Sequence, residues 1–181
     1  MRPARIQEWR PDRSSQSRCA GHDDGAGERA AGRRVKRPAL LDVNVLIALF
    51  DETHVHHQTA HDWFADHAKD GWATCPLTEN GFLRVLTHPR AALEDDPSTV
   101  FSSLRTFCDS KGHVFWEDSI SLRDTRLFDP SVILSHKQLT DVYLLGLATR
   151  KRGRLATFDA RIPLKAVKGA TRDNLAVIAP A

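Results

Sequence analysis

Four acidic side chains sit where a chain of alternating strands and helices would leave them along one edge. Asp42 directly follows the apolar stretch Ala39-Leu40-Leu41, and Asp159 directly follows Leu155-Ala156-Thr157-Phe158. Glu79 lies just beyond Pro76, which stops the apolar Trp72-Ala73-Thr74-Cys75, and Asp141 opens a helical pattern ahead of Leu155. In an open parallel sheet, ligands collect beyond the carboxyl ends of the strands. Carboxylates converging there repel one another in a low dielectric, and a divalent cation between them removes the conflict. Oxygen-only ligands at a partly open site suit Mg²⁺, with Mn²⁺ as a substitute. Such a cation lowers the pKa of bound water and stabilises the charge on a phosphate under in-line attack. Singly, each acid has an ordinary structural role. Glu79 and Asp141 would complement helix dipoles, and Asp42 and Asp159 would make Asx-type turns. Their joint placement at strand ends is what points to chemistry.

The elements that must position these acids follow from periodicity. Short apolar strands are expected at 39–41, 72–75, 114–116, 155–158 and 175–178. Helices are expected at 43–50, 55–69, 77–87, 97–110 and 141–150, the last capped by Thr140 and followed by Gly153 as its C′ residue. Ser119 is expected to cap a further helix through Leu127. Strands alternating with helices imply an α/β fold of three layers. Its central sheet would be mostly parallel, with about five strands and helices on both faces.

The 181 residues are 41% hydrophobic and 27% charged, the balance of a soluble globular protein. No apolar run approaches the ~20 residues of a membrane-spanning helix, and the charged N-terminus lacks the apolar stretch of a signal peptide. A cytoplasmic protein without a membrane partner is expected. Cys19, Cys75 and Cys108 are odd in number and contain no CxxC pair, which argues against a disulfide framework or a structural zinc. The net charge of +3 divides unevenly: residues 1–37 carry +5 and residues 38–181 carry −2. The folded part thus lacks the basic excess of a protein that binds nucleic acid by charge alone. Residues 1–37 are read as a disordered basic tail, and residues 38–181 as one domain. The only methionine is Met1. A GUG start codon would put the initiator at the position written Val35, so residues 1–34 are read as a candidate start-site artefact.

At these motifs the chain resembles a family. Leu40-Leu41-Asp42-Val43-Asn44-Val45-Leu46-Ile47 is similar to the opening motif of PIN-domain nucleases. Thr78-Glu79-Asn80, Leu139-Thr140-Asp141 and Thr157-Phe158-Asp159 resemble their second, third and fourth acidic motifs in order and spacing. The resemblance is strongest to the VapC-type toxin branch. It implies a PIN fold, Mg²⁺-dependent cleavage of RNA to 5′-phosphate and 3′-hydroxyl ends, a cognate antitoxin, and a homodimer. It also implies roles. Asp42, Asp141 and Asp159 would hold the metal, and Glu79 would bind it directly or through a water. Asn44 and Thr157 would fix the carboxylates by hydrogen bonds.

His57 and His61 have the i, i+4 spacing of a zinc pair, but a structural role is favoured because no third ligand is near in sequence. Arg84 and Arg90 are candidate RNA contacts, whereas Arg150, Lys151, Arg152 and Arg154 suit a helix C-terminus. An apolar groove near Val45, Leu49 and Trp63 is the expected dock for an antitoxin helix. Two competing functions remain. One is a PIN-type RNA-processing nuclease without an antitoxin. The other is a receiver-like signalling domain that binds Mg²⁺, though it would want an acidic pair after the first strand.

Overall fold

The computed structural model describes residues 37–89 and 96–179. Strands β1 (Ala39–Leu41), β2 (Trp72–Thr74), β3 (His113–Phe115), β4 (Arg154–Thr157) and β5 (Leu175–Val177) form one sheet in the order β3-β2-β1-β4-β5. Every neighbouring pair is parallel. A receiver-like domain would place its second strand at the edge, in the order 2-1-3-4-5, so the observed order rules that reading out. The helices are α1 (Val43–Phe50), α2 (His57–His67), α3 (Pro76–Leu86), α4 (Pro97–Cys108) and α5 (Leu139–Arg150).

Alternation along the strands divides the core into two layers. Ala39, Leu41, Trp72 and Ala156 face one cluster, which is filled by α1, α2, α3 and α4 through Leu46, Phe50, Phe64, Phe82 and Phe107. Leu40, Ala73 and Leu155 face the other, which is filled by Val142, Leu145 and Ala148 of α5 together with Trp116 and Phe128. This is the expected three-layer α/β arrangement. Among the described residues, no helix is long and apolar enough to cross a membrane.

Several expectations are corrected. Residues 119–127 form successive turns and no helix. Asp124 takes its own hydrogen bonds from the Arg126 backbone and guanidinium, and Phe128 is drawn into an antiparallel bridge with Val167. Such local side-chain bonds compete with helix formation. Helix α5 begins at Leu139 with Gln138 in the N-cap position, so Thr140 lies inside it. The left-handed residue after α5 is Arg152, at φ 57°. Gly153 is needed for a different reason: a Cβ there would lie 2.5 Å from the Pro38 carbonyl oxygen and from the Trp116 ring. Val45 and Leu49 are buried in the core and line no surface groove, while Trp63, expected beside them, is half-buried on α2. Helix α1 is apolar nearly all round, with six of its eight residues buried, which is the mark of an interior helix.

The histidine-rich start of α2 has a structural role. His57 Nδ1 donates to the Ala48 carbonyl at 2.8 Å, and His61 Nε2 donates to the Leu49 carbonyl at 3.0 Å. These are among the last carbonyls of α1, which have no partner within the helix. The two rings clamp α2 onto the end of α1.

Candidate active site

The carboxyl ends of β1 and β4 lie side by side, with Leu41 opposite Ala156. The Asp42 N–H donates to the Ala156 carbonyl at 3.0 Å and extends the pairing by one residue. Asp42 stands at the N-cap of α1 with extended backbone, a position where an aspartate normally accepts from its own helix. Its side chain makes no cap bond. Instead Thr157 Oγ1, at the end of β4, donates to Asp42 Oδ2 at 2.8 Å. The same hydroxyl accepts from the Asp159 backbone N–H at 3.1 Å. Thr157 therefore ties together the loops that carry two of the four expected acids. Both Thr157 and Asp42 are buried.

Asp141 enters from the first turn of α5. Burial, then the charges of Asp42 and Asp159, push its carboxyl up to about 6. Burial also raises Asp42, against the Thr157 hydroxyl and the Val43 backbone, which lower it, and the Asp159 charge adds to the rise. Asp159 is held low by Arg161, whose side chain and backbone both bond its carboxylate, with Nε 3.1 Å from Oδ1. Three aspartates thus crowd one edge, and two of them resist ionisation. These hard oxygen donors fit a divalent cation, which would relieve their repulsion.

Glu79 shares the carboxyl edge of the sheet but has its own partners. Its Oε1 accepts from Thr74 Oγ1 at 2.6 Å, and the same hydroxyl lies 2.8 Å from His113 Nε2. Glu79, Cys108 and His113 offer ligand-type atoms within 4.8 Å of one another. Burial, then the Glu79 charge, push the Cys108 thiol up to about 11. Sequence reasoning missed Thr74, Cys108, His113 and Arg161. A signal existed for Thr74, which closes β2 as Thr157 closes β4. His113 had none, since 39 residues separate it from Thr74.

The remaining expected residues stand apart. Asn44 is exposed on α1, and no hydrogen bond joins it to the acids among the described residues. Arg84 is exposed on α3, and Arg90 lies outside the described residues. Cys75 and Cys108 are free thiols, the first buried and the second half-buried, while Cys19 lies outside the described residues.

A family profile described as the PIN domain matches residues 39–169. The chain belongs to the PIN-domain family. Within it, the chain is similar to proteins named Ribonuclease VapC. Ribonuclease VapC44 of Mycobacterium tuberculosis is 43% identical over 140 residues, covering 77% of this chain and 99% of the relative. Ribonuclease VapC39 of the same species is 40% identical over 133 residues, covering 72% and 95%. These two place this PIN domain in the VapC branch. A solved structure, VapBC2 from Rickettsia felis bound to a DNA fragment from their promoter, matches 77% of this chain and 96% of its own, at TM-score 0.48 and 16% identity. In this PIN domain, the matched span contains Asp42, Glu79, Asp141 and Asp159.

Proposed function

We propose that this PIN domain is a metal-dependent endoribonuclease and the toxin of a toxin–antitoxin pair. The observation that carries the reading is the crowding of Asp42, Asp141 and Asp159 at one sheet edge, where Asp141 is pushed up to about 6. Repulsion of that kind is maintained at a site built for a cation. Asp42, Asp141 and Asp159 would hold Mg²⁺, or Mn²⁺ in its place, and Glu79 would bind it directly or through a water. When bound, the ion supplies charge neutralisation at the phosphate and activation of water.

The chain's own groups do the rest. Thr157 holds Asp42 in one orientation. Asp42 and Asp141 would have to be ionised to hold the ion, so its binding would oppose the protonation that burial favours. Glu79 orients the attacking water. The water oxygen bonds to phosphorus and gives up a proton, the bond from phosphorus to the 3′ oxygen breaks and that oxygen takes up a proton, and the products carry 5′-phosphate and 3′-hydroxyl ends. The ribose 2′-hydroxyl takes no part.

An RNase of this kind needs restraint in the cell, and the VapC relatives support a cognate antitoxin as the partner. A homodimer is part of the same proposal. Arg84 and Arg90 remain candidate RNA contacts, and Arg161 joins them because it already faces Asp159. The test is induced expression in a bacterial host with capture of 5′-phosphate RNA ends. The expected result is growth arrest with new ends at a small set of sites, relieved by co-expressing the neighbouring gene. Cleavage that no neighbouring product relieves would favour an RNA-processing nuclease. Induction without new 5′-phosphate ends would overturn the nuclease reading.

A further inference from the structure

Thr74 is buried at the end of β2, and its hydroxyl meets two functional groups from elsewhere in the chain. Glu79 Oε1 lies 2.6 Å away on one side and His113 Nε2 lies 2.8 Å away on the other. A threonine hydroxyl has one proton to give and lone pairs to receive with. That proton goes to the Glu79 carboxylate. The contact with His113 is then a hydrogen bond only if Nε2 carries a proton and donates it to Thr74 Oγ1. The chain of bonds then runs from His113 to Thr74 and from Thr74 to Glu79.

The ring itself is held in place. It packs against Trp72 with centroids 4.5 Å apart. Register places His113 beside Trp72, one strand over, and Thr74 two residues further along β2 on the same face. Glu79 reaches the hydroxyl from the first turn of α3. Three separate elements thus meet at the Thr74 hydroxyl. Half-buried carboxylates on a helix are otherwise free to choose among rotamers. The Thr74 hydroxyl, itself held by His113, removes that freedom.

We propose that Thr74 and His113 are positioning residues that hold the Glu79 carboxylate for the nuclease reaction through a directed Nε2–H to hydroxyl to carboxylate relay. The proposal rests on the reading that Glu79 belongs to the nuclease centre. Thr74 is to Glu79 what Thr157 is to Asp42: the hydroxyl at a strand's last residue, orienting an acid beyond the sheet edge. A soft metal ion at Glu79, Cys108 and His113 is the competing use of this cluster. It would need a ring lone pair, and an Nε2 that donates to Thr74 is not free to supply it.

Two measurements test the relay. The first is long-range ¹H–¹⁵N NMR of the histidine rings in the metal-free protein near neutral pH. The relay predicts a protonated His113 Nε2 whose signal moves in Thr74→Val. A bare Nε2 would overturn the relay. The second is steady-state cleavage of a defined RNA. Thr74→Val and His113→Leu should each lower kcat about ten- to a hundredfold with little change in KM, as loss of a ligand-orienting group does. Thr74→Ser and His113→Gln, which keep the donors, should restore most of the rate. In a Glu79→Ala background, Thr74→Val should cost nothing further, since interacting residues are non-additive. Full activity of Thr74→Val beside a crippled Glu79→Ala would overturn the positioning role alone. Full activity of Glu79→Ala would overturn the reading of Glu79 as well.

Discussion

Replacing Asp141 by Asn should stabilise the metal-free protein near neutral pH and leave it unchanged in acid. Burial and the charges of Asp42 and Asp159 push Asp141 up to about 6, from an ordinary 3.8. The folded protein therefore binds this proton more tightly than the unfolded chain does. The resulting stability is fully present below about pH 3.8 and is lost as pH rises through about 6. A shift of about two units corresponds to about 3 kcal/mol at full strength. Asp141 is only half-buried, and solvent screening reduces the figure to about 1 kcal/mol. The amide that replaces the carboxyl does not ionise, so the variant escapes the loss. For a domain of this size, about 1 kcal/mol moves Tm by about 2–4 °C. The assay is thermal unfolding of both proteins in chelator from about pH 4 to about pH 7.5. The quantity to read is the difference between variant and wild type. His54, His61 and His113, all lowered chiefly by burial, shift stability the opposite way and cancel in that difference. Adding Mg²⁺ should reverse the order, because only the wild type keeps the full ligand set. A difference that stays flat across the range would refute the crowding of the three aspartates.

Other expected outcomes rest on packing and chain organisation. Gly81→Ala would put its Cβ 2.6 Å from Val43 Cγ2, so it should cost about 1–3 kcal/mol by denaturant unfolding, and Val43→Ala should recover part of that loss. His57→Ala removes the donor to the Ala48 carbonyl and should cost about 1 kcal/mol, whereas zinc should not alter the Tm of the wild type through this ring. Deleting residues 1–34, which lie ahead of the matched span, should leave both the Tm and the mapped cut sites unchanged.

Asp42 and Asp159 were legible in the sequence because each ends an apolar strand, and a parallel sheet exposes the residues just past its strands. The strand and helix order was legible for the same reason, with ends misplaced by a residue or two where boundary residues fit either state. The turns at 119–127 were not legible. Ser119 looks like a cap, but the outcome depends on the bridge between Phe128 and Val167, a long-range contact. Val45 and Leu49 were misread as a groove because an apolar stripe on one short helix looks the same whether it faces a partner or the core. The surroundings of Glu79 were hidden for a further reason. Thr74 and His113 meet only through the pairing of β2 with β3, and neither residue type is unusual in a strand.

On the proposed function, Asp42, Asp141 and Asp159 form a metal centre that cuts RNA. Its most direct test is the initial rate of RNA cleavage by the purified chain in Mg²⁺, in chelator, and with Asp42→Asn. Unchanged far-ultraviolet circular dichroism would verify that the variant is folded. The account predicts cleavage with Mg²⁺ or Mn²⁺, none in chelator, and a loss of at least ~100-fold in the variant, since electrostatic contributions of this kind amount to several kcal/mol. Full activity in chelator, or in folded Asp42→Asn, would contradict it.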